Sequence, residues 1–545
     1  MRRLAKRRHA VATASPFVTA VLAVADSFVY MNETLSYTIE ELDSLRILRL
    51  DGIVDREIVV DTHNLMLQAV EYSCNDWKHR FTPLHVSGNI VSGKLSCAGH
   101  DRWNNFMSGT WLVVFDIDKT QVVSNLEFDP SKKVFVRGNQ EHVYFGTRDI
   151  GAIEGFSESC WLLDRLDIST RTWTKDMRLS PTLGHRIGVD VCFEVFGDAL
   201  YVVATEQEWG LNDTTAFLYR AWCVSPKHLE TAEFIGVAID RGVRDGAILD
   251  ERWQTLSIHR DEGSGELFIY ETRVESFDGD TQWRCAYRTP LPAALSDNAN
   301  ADGLVFEGLY LFKDKFDPVR SAELIFCYHA ISDNLWTSIL STPMASYNPA
   351  TGAFVDLITD PPGMDDWSRS LQRLRLRVRS PQPSRGDALP SIAKGQVLYS
   401  ADGTQLRVWP PNDPSHFNVK FDKACSMLSP QGAVRSVEWA ADGRHLVYSP
   451  KPFADTQGPR PVMLMSFDPT LRLEGTLSLL GDFEAPPLFD PPSQDAAGWR
   501  FVERPYYTVI QDADNCPLRF DLSFPMRPGQ EGWEDNGSEI AQILA

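Results

Sequence analysis

The sequence predicts an all-β fold: a propeller-like domain of six to eight irregular blades, seven fitting best, with a short N-terminal helix and long loops. Three observations carry this. Short runs of β-branched and aromatic residues recur between Asp, Gly, Asn and Pro, as strands bounded by turn formers do. Several runs are paired through one repeated turn grammar. Capped helical stretches are scarce, the candidates being the first dozen residues and Asp365 to Gln372.

Typical runs are Trp111-Leu112-Val113-Val114-Phe115, His142-Val143-Tyr144-Phe145, Leu200-Tyr201-Val202-Val203, Leu267-Phe268-Ile269-Tyr270 and Val462-Met463-Leu464-Met465. The turn grammar is an apolar residue, then Asp or Asn, then a short turn. It appears at Phe115-Asp116-Ile117-Asp118-Lys119-Thr120, Leu166-Asp167-Ile168-Ser169-Thr170-Arg171 and Tyr347-Asn348-Pro349-Ala350-Thr351-Gly352, with a weaker copy at Phe467-Asp468-Pro469-Thr470. A second grammar sets Asp-Gly in the turn, at Asp402-Gly403 and Asp442-Gly443, a pair that tolerates the positive φ of tight hairpins. Such hairpins build propeller blades, which bury their faces against neighbouring blades; at about 40–50 residues each, six to eight fit. Two stacked sheets are the rival architecture. The expected division is a helical linker at 1–16, the propeller at 17–480, a Pro-rich segment with closing strands at 481–525 and an acidic tail at 526–545.

Composition excludes wholesale disorder: 43% of the 545 residues are hydrophobic, enough to offset chain entropy by burial. A formal charge of −21 argues against a polyanion-binding surface, so no nucleic-acid partner is expected. The nine cysteines are scattered and odd in number, with no CxxC, which reads as buried thiols. A basic head, Arg2 to Arg8, followed by apolar Ala10 to Ala25 imitates a secretory signal, but Ser15-Pro16 interrupts it and strand-like sequence continues through Phe17 to Val29. No run reaches the roughly 18 apolar residues of a membrane span.

Val113-Val114-Phe115-Asp116-Ile117-Asp118-Lys119-Thr120 matches the strand-then-DxDxT pattern of haloacid-dehalogenase phosphatases. That chemistry needs a helix next, and here more strand follows, so a hairpin is the better reading. Asn298-Ala299-Asn300-Ala301-Asp302-Gly303 begins like a calcium loop but has Leu309 where a bidentate Glu is needed. Ser157 lacks the second Gly of a nucleophile elbow, and His100 and His185 stand alone. No catalytic, metal or cofactor residue is predicted. The run Arg373-Leu374-Arg375-Leu376-Arg377-Val378-Arg379 puts Arg373, Arg375, Arg377 and Arg379 on one face of a strand. That face is either an interaction patch for an acidic partner or a solvated edge that blocks aggregation. Trp77, Trp103, Trp209, Trp283 and Trp367 lie near polar turns, where blade packing or a binding face would use them.

An ordered set of segments resembles the family of filamentous-fungal F-box proteins, in the region that follows the F-box. The set runs Leu4-Ala5-Lys6-Arg7-Arg8, Ala12-Thr13-Ala14-Ser15-Pro16-Phe17, Asp26-Ser27-Phe28-Val29-Tyr30, Leu35-Ser36-Tyr37-Thr38, Leu45-Arg46-Ile47-Leu48 and Arg56-Glu57-Ile58-Val59-Val60. It continues with Val134-Phe135-Val136-Arg137, Tyr144-Phe145-Gly146-Thr147, Val191-Cys192-Phe193-Glu194-Val195, Gly263-Ser264-Gly265-Glu266-Leu267, Arg373-Leu374-Arg375-Leu376-Arg377, Trp409-Pro410-Pro411 and Ser466-Phe467-Asp468-Pro469. The resemblance implies a non-enzymatic, cytoplasmic or nuclear substrate receptor of a cullin-RING ubiquitin ligase, holding a protein substrate. The F-box, which would dock the Skp adaptor and through it the cullin, has no counterpart in this sequence, so adaptor binding is expected only with an upstream F-box. The other reading is a secreted β-propeller hydrolase or lectin-like binding protein.

Overall fold

The computed structural model describes residues 2–54, 56–70, 78–100, 106–149, 160–179, 183–209, 215–225, 235–243, 248–261, 264–277, 281–291, 313–321, 323–329, 344–359, 374–380, 396–399, 405–409, 434–452, 459–473, 499–503 and 508–511. These form seven sheets, antiparallel through their first four strands and arranged as the blades of a propeller, and a two-stranded parallel pair of Ile53–Val54 with Arg472–Leu473. From the axis outward, blade 1 is Ser27–Met31, Thr34–Ile39, Ser44–Arg49 and Arg56–Asp61. Blade 2 is Lys78–Ser87, Ile90–His100, Phe106–Asp116 and Gln121–Glu127. Blade 3 is Lys133–Gly138, His142–Arg148, Leu162–Asp167 and Thr172–Arg178. Blade 4 is Val191–Phe196, Ala199–Trp209, Thr215–Val224 and Ile235–Asp240. Blade 5 is Ile248–Arg260, Leu267–Phe277, Thr281–Pro290 and Glu323–His329. Blade 6 is Met344–Asn348, Ala353–Thr359, Leu374–Ser380 and Gln405–Trp409. Blade 7 is Val434–Ala441, His445–Pro452 and Arg460–Ser466, completed on the outside by Val18–Ala25 from the other end of the sequence. Each inner strand touches the inner strands of both neighbouring blades, and blade 7 meets blade 1, so the ring closes. The apolar stretch that imitates a secretory signal therefore contains a blade strand, with Val18 to Ala25 paired to Ser466 to Arg460.

The repeated turn grammar is physical. In the three full copies the Asp or Asn starts a tight loop, and the residue four positions on takes positive φ: Thr120 at 51°, Arg171 at 58° and Gly352 at 67°; in the weaker copy at Asp468 the corresponding Arg472 does not. Asp116 Oδ1 accepts the N–H groups of Asp118 and Lys119 at 3.0 and 3.1 Å, and Asp167 Oδ1 accepts that of Thr170 at 2.9 Å. The side chain thus replaces backbone pairing where the strand turns. The phosphatase-like motif is a hairpin, with Lys119 Nζ 2.8 Å from Asp116 Oδ2. At Asp442-Gly443 the expected positive φ is not used, because Asp442 Oδ1 instead accepts from Arg444 N and His445 N, both at 2.7 Å. Asp402-Gly403 and the helix candidate at Asp365 to Gln372 lie outside the described residues.

Two α-helices sit among the described residues, α1 at Arg2–Ala12 and α2 at Thr62–Ala69. The first packs Ala10 and Val11 into the seam of blades 6 and 7. The second, unforeseen from sequence, is capped by Asp61 Oδ1 on His63 N and Asn64 N and packs Leu65, Met66 and Ala69 between blades 1 and 2. No helix of the described residues is long and apolar enough to cross a membrane. Four sheets carry a fifth strand: Trp499–Glu503 on blade 1, Thr508–Gln511 on blade 7, Gln396–Tyr399 on blade 6, and Lys313–Ser321, parallel, on blade 4.

Candidate functional site

Of the arginine run that sequence reasoning singled out, the two side chains that are described prove to be packing groups. Arg377 and Arg379 are each 1% exposed on a middle strand of blade 6, which corrects both the solvent-facing patch and the solvated edge. They face blade 5: Asp356 receives Arg284 through two bonds, at 2.8 and 3.0 Å, and Arg377 Nη2 at 2.7 Å. Burial alone would raise the Asp356 pKa, but the two guanidiniums outweigh it and hold the carboxyl below its usual range. Arg373 and the side chain of Arg375 lie outside the described residues.

A second buried ionic cluster, which sequence reading missed, joins blades 4 and 5. Glu271, Arg273 and Glu275 alternate along one strand. Glu271 binds Arg241, Arg273 at 2.8 Å and the Tyr219 hydroxyl at 2.5 Å, and Glu275 accepts from Arg273 at 2.8 Å and Tyr287 at 2.7 Å. Glu271 is likewise held low, its burial outweighed by Arg241 and Arg273. With their carboxylates bonded to buried arginines in the seams between blades, both clusters are structural.

An open site among the described residues is a trough of about 840 Å³ across one end of blade 2. It lies on the face carrying the blade-to-blade crossings, opposite the turns that join each inner strand to the next. Lys78, His79 and Arg80 open the inner strand; Ser96, Cys97 and Ala98 end the second; Ser108, Gly109 and Thr110 open the third; Glu127 to Pro130 leave the outer one. At about 4.8 Å per strand spacing, the trough crosses about 14 Å of sheet.

Each wall group has a distinct state. His79 Nε2 lies 3.1 Å from Thr62 Oγ1 and 3.6 Å from Asp43 Oδ1, and burial pushes its pKa down, so near neutral pH it is an uncharged hydrogen-bonding group. Burial pushes the Cys97 thiol up to about 12, which removes it as a nucleophile. Arg80 pairs with Glu40 of blade 1 at 2.5 Å. Asp129 is held low by the N–H and hydroxyl of Ser131, at 2.9 and 2.8 Å, and is ionised. Gly109 matters because the Trp111 ring lies against it: a Cβ there would stand 2.1 Å from the ring.

Among the described residues no cluster of three or more His, Cys, Asp or Glu is placed to hold a metal. His185 is exposed on the crossing into blade 4, away from the trough, and the His100 side chain is outside the described set. Ser157, the Asn298 loop, Trp77, Trp103 and Trp367 also fall outside it, as does the Trp209 side chain; Trp283 is half-buried in blade 5. None of the segments that carry the fungal resemblance lines the trough; where described they are helix, strands and turns.

No family model and no curated protein matches the chain. Solved structures similar to it include an α-L-arabinanase from Cellvibrio cellulosa, with 9% identity over 51% of this chain and 97% of that one, at a TM-score of 0.21. The polysaccharide lyase Uly1 has 9% identity over 82% and 91% at 0.30, and a xylan β-1,4-xylosidase from Bacillus halodurans C-125 has 10% over 83% and 92% at 0.23. These neighbours are enzymes, so the expectation of a non-enzymatic domain is withdrawn. Similarity at this level transfers none of their reactions to this chain. The chain is a seven-bladed all-β propeller.

Proposed function

We propose that the chain binds a saccharide in the trough over blade 2, as a lectin-like protein or a glycan-directed hydrolase. The observation that carries this reading is the mixture of groups in the wall. Ser96, Ser108, Thr110 and neutral His79 supply hydrogen-bonding groups, Ala98, Phe128 and Pro130 supply small apolar surfaces, and charged side chains rim both ends. A pyranose alternates C–H faces with hydroxyl edges and suits such a wall, and the volume lies within the roughly 300–1,000 Å³ of ligand pockets. In the hydrolase form, cleavage falls to the trough carboxylates Glu127 and Asp129, since glycosidic cleavage uses a carboxyl pair as acid and base or nucleophile.

The test is a saccharide-binding panel read by calorimetry on the full chain and on Ser108→Trp, which fills the trough from an exposed position. The expected result is saccharide binding that Ser108→Trp weakens at least about tenfold, a loss of about 1.4 kcal/mol, with unchanged melting temperature. Binding that Ser108→Trp leaves intact overturns the site, and a panel without binders overturns the reading. Capture of a peptide in its place would favour the substrate-receptor role implied by the fungal F-box resemblance. Turnover lost in Glu127→Gln while binding persists would identify the hydrolase form.

A further inference from the structure

Lys78 and Glu127 stand at opposite ends of the trough. Lys78 is the first residue of the inner strand and Glu127 the last of the outer; they stand three strand spacings apart across the sheet, about 14 Å, and three residues apart along it, about 10 Å, since Lys78 aligns with Ala98 and Ser108 whereas Glu127 pairs with Trp111. Both are exposed, and neither has an ion-pair partner among the described residues. Their neighbours are committed: Arg80 holds Glu40, His79 is uncharged, and Asp129 is occupied by Ser131. In a chain of net charge −21, a cation with no ion-pair partner among the described residues stands at the inner end, while Glu127 and Asp129 stand at the outer end. At the inner end Glu40 cancels Arg80 and Asp43 lies 3.6 Å from His79 Nε2, so Lys78 is what offsets negative charge there, and the outer end with Glu127 and Asp129 is the more negative of the two.

Resting on the saccharide reading, we infer that the ligand is an acidic saccharide, seated with its carboxylate or sulfate group at Lys78 and an uncharged residue at Glu127. A charge-assisted bond at Lys78 rewards the anion there, and repulsion from Glu127 and Asp129 disfavours the reversed orientation. Because Lys78 is exposed, the contribution is modest and screened by salt.

The experiment compares three oligosaccharides of equal length, one ending in a uronate, one sulfated and one neutral, on wild type, Lys78→Gln and Ser108→Trp, at low and high salt. The expected result is that the acidic ligands bind more tightly than the neutral one, that Lys78→Gln removes about five- to tenfold of their affinity while changing the neutral ligand less than about twofold, and that high salt erases the difference. Whichever acidic ligand binds tighter identifies the anion. Equal affinity for acidic and neutral ligands, both lost in Ser108→Trp, overturns this inference and leaves the saccharide site standing. Absence of binding by all three overturns both.

Discussion

Blade 6 is gripped differently on its two faces. On one, Val355, Leu357, Leu374, Leu376 and Val378 meet α1 and the Leu446, Tyr448, Met463 and Met465 side chains of blade 7. On the other, the described apolar contact is small: Phe354 against Ala286, with Tyr347 alongside. Asp356, Arg284 and Arg377 fill that seam, with the Arg284 guanidinium 4.3 Å above the Phe354 ring. The apolar seam gains stability in proportion to area. The ionic seam gains little net energy, because desolvation offsets attraction, but it penalises any arrangement that separates its charges. One seam supplies cohesion and the other register.

The largest expected effect tests the ionic seam. Asp356→Ala leaves two guanidiniums buried without their carboxylate and is expected to cost about 3–5 kcal/mol in denaturant unfolding, whereas the triple change Arg284→Met, Asp356→Leu, Arg377→Met is expected to restore most of it. A loss below about 1 kcal/mol for Asp356→Ala would erase the distinction between the seams. Next, Leu376→Ala on the apolar face is expected to cost about 3 kcal/mol, with no rescue by a charged partner.

The smallest effect sharpens the contrast through pH. At the seam of blades 2 and 3, fully buried His85 sits with its Nε2 3.1 Å from the carbonyl of Gly138, and burial, then Arg137, lowers its pKa to about 4. Unfolded, the imidazole titrates near 6.5, so between there and 4 the unfolded state binds the proton that the native state refuses. Stability is present above pH 6.5 and falls on acidification, by about 2 kcal/mol at pH 5. His85→Gln is expected to remove that slope, whereas Asp356, its pKa held low, contributes a loss only at still lower pH. An unchanged slope would show that other histidines carry it.

The blade pattern was legible because each hairpin writes its turn locally: Asp116, Asp167 and Asn348 announce loops whose fourth following residue bends backward. Helix α2 was not foreseen; its cap, Asp61, is one residue within a run that otherwise reads as strand. The alternation puts Arg377 and Arg379 on one face, as the structure does, but what that face meets is fixed by Asp356, 21 residues before Arg377, and Arg284, 72 before Asp356. Burial of charge depends on partners that periodicity cannot name. The trough was likewise invisible, being assembled from four separated strand ends.

Blade 7 borrows its outer strand from the opposite end of the sequence, with Val18 beside Ser466. On a ribosome adding about 5–20 residues per second, that early strand waits about 20–90 s for its partner. Throughout that interval its hydrogen-bonding edges are open to strangers, and nascent-chain chaperones are the natural guardians of the delay.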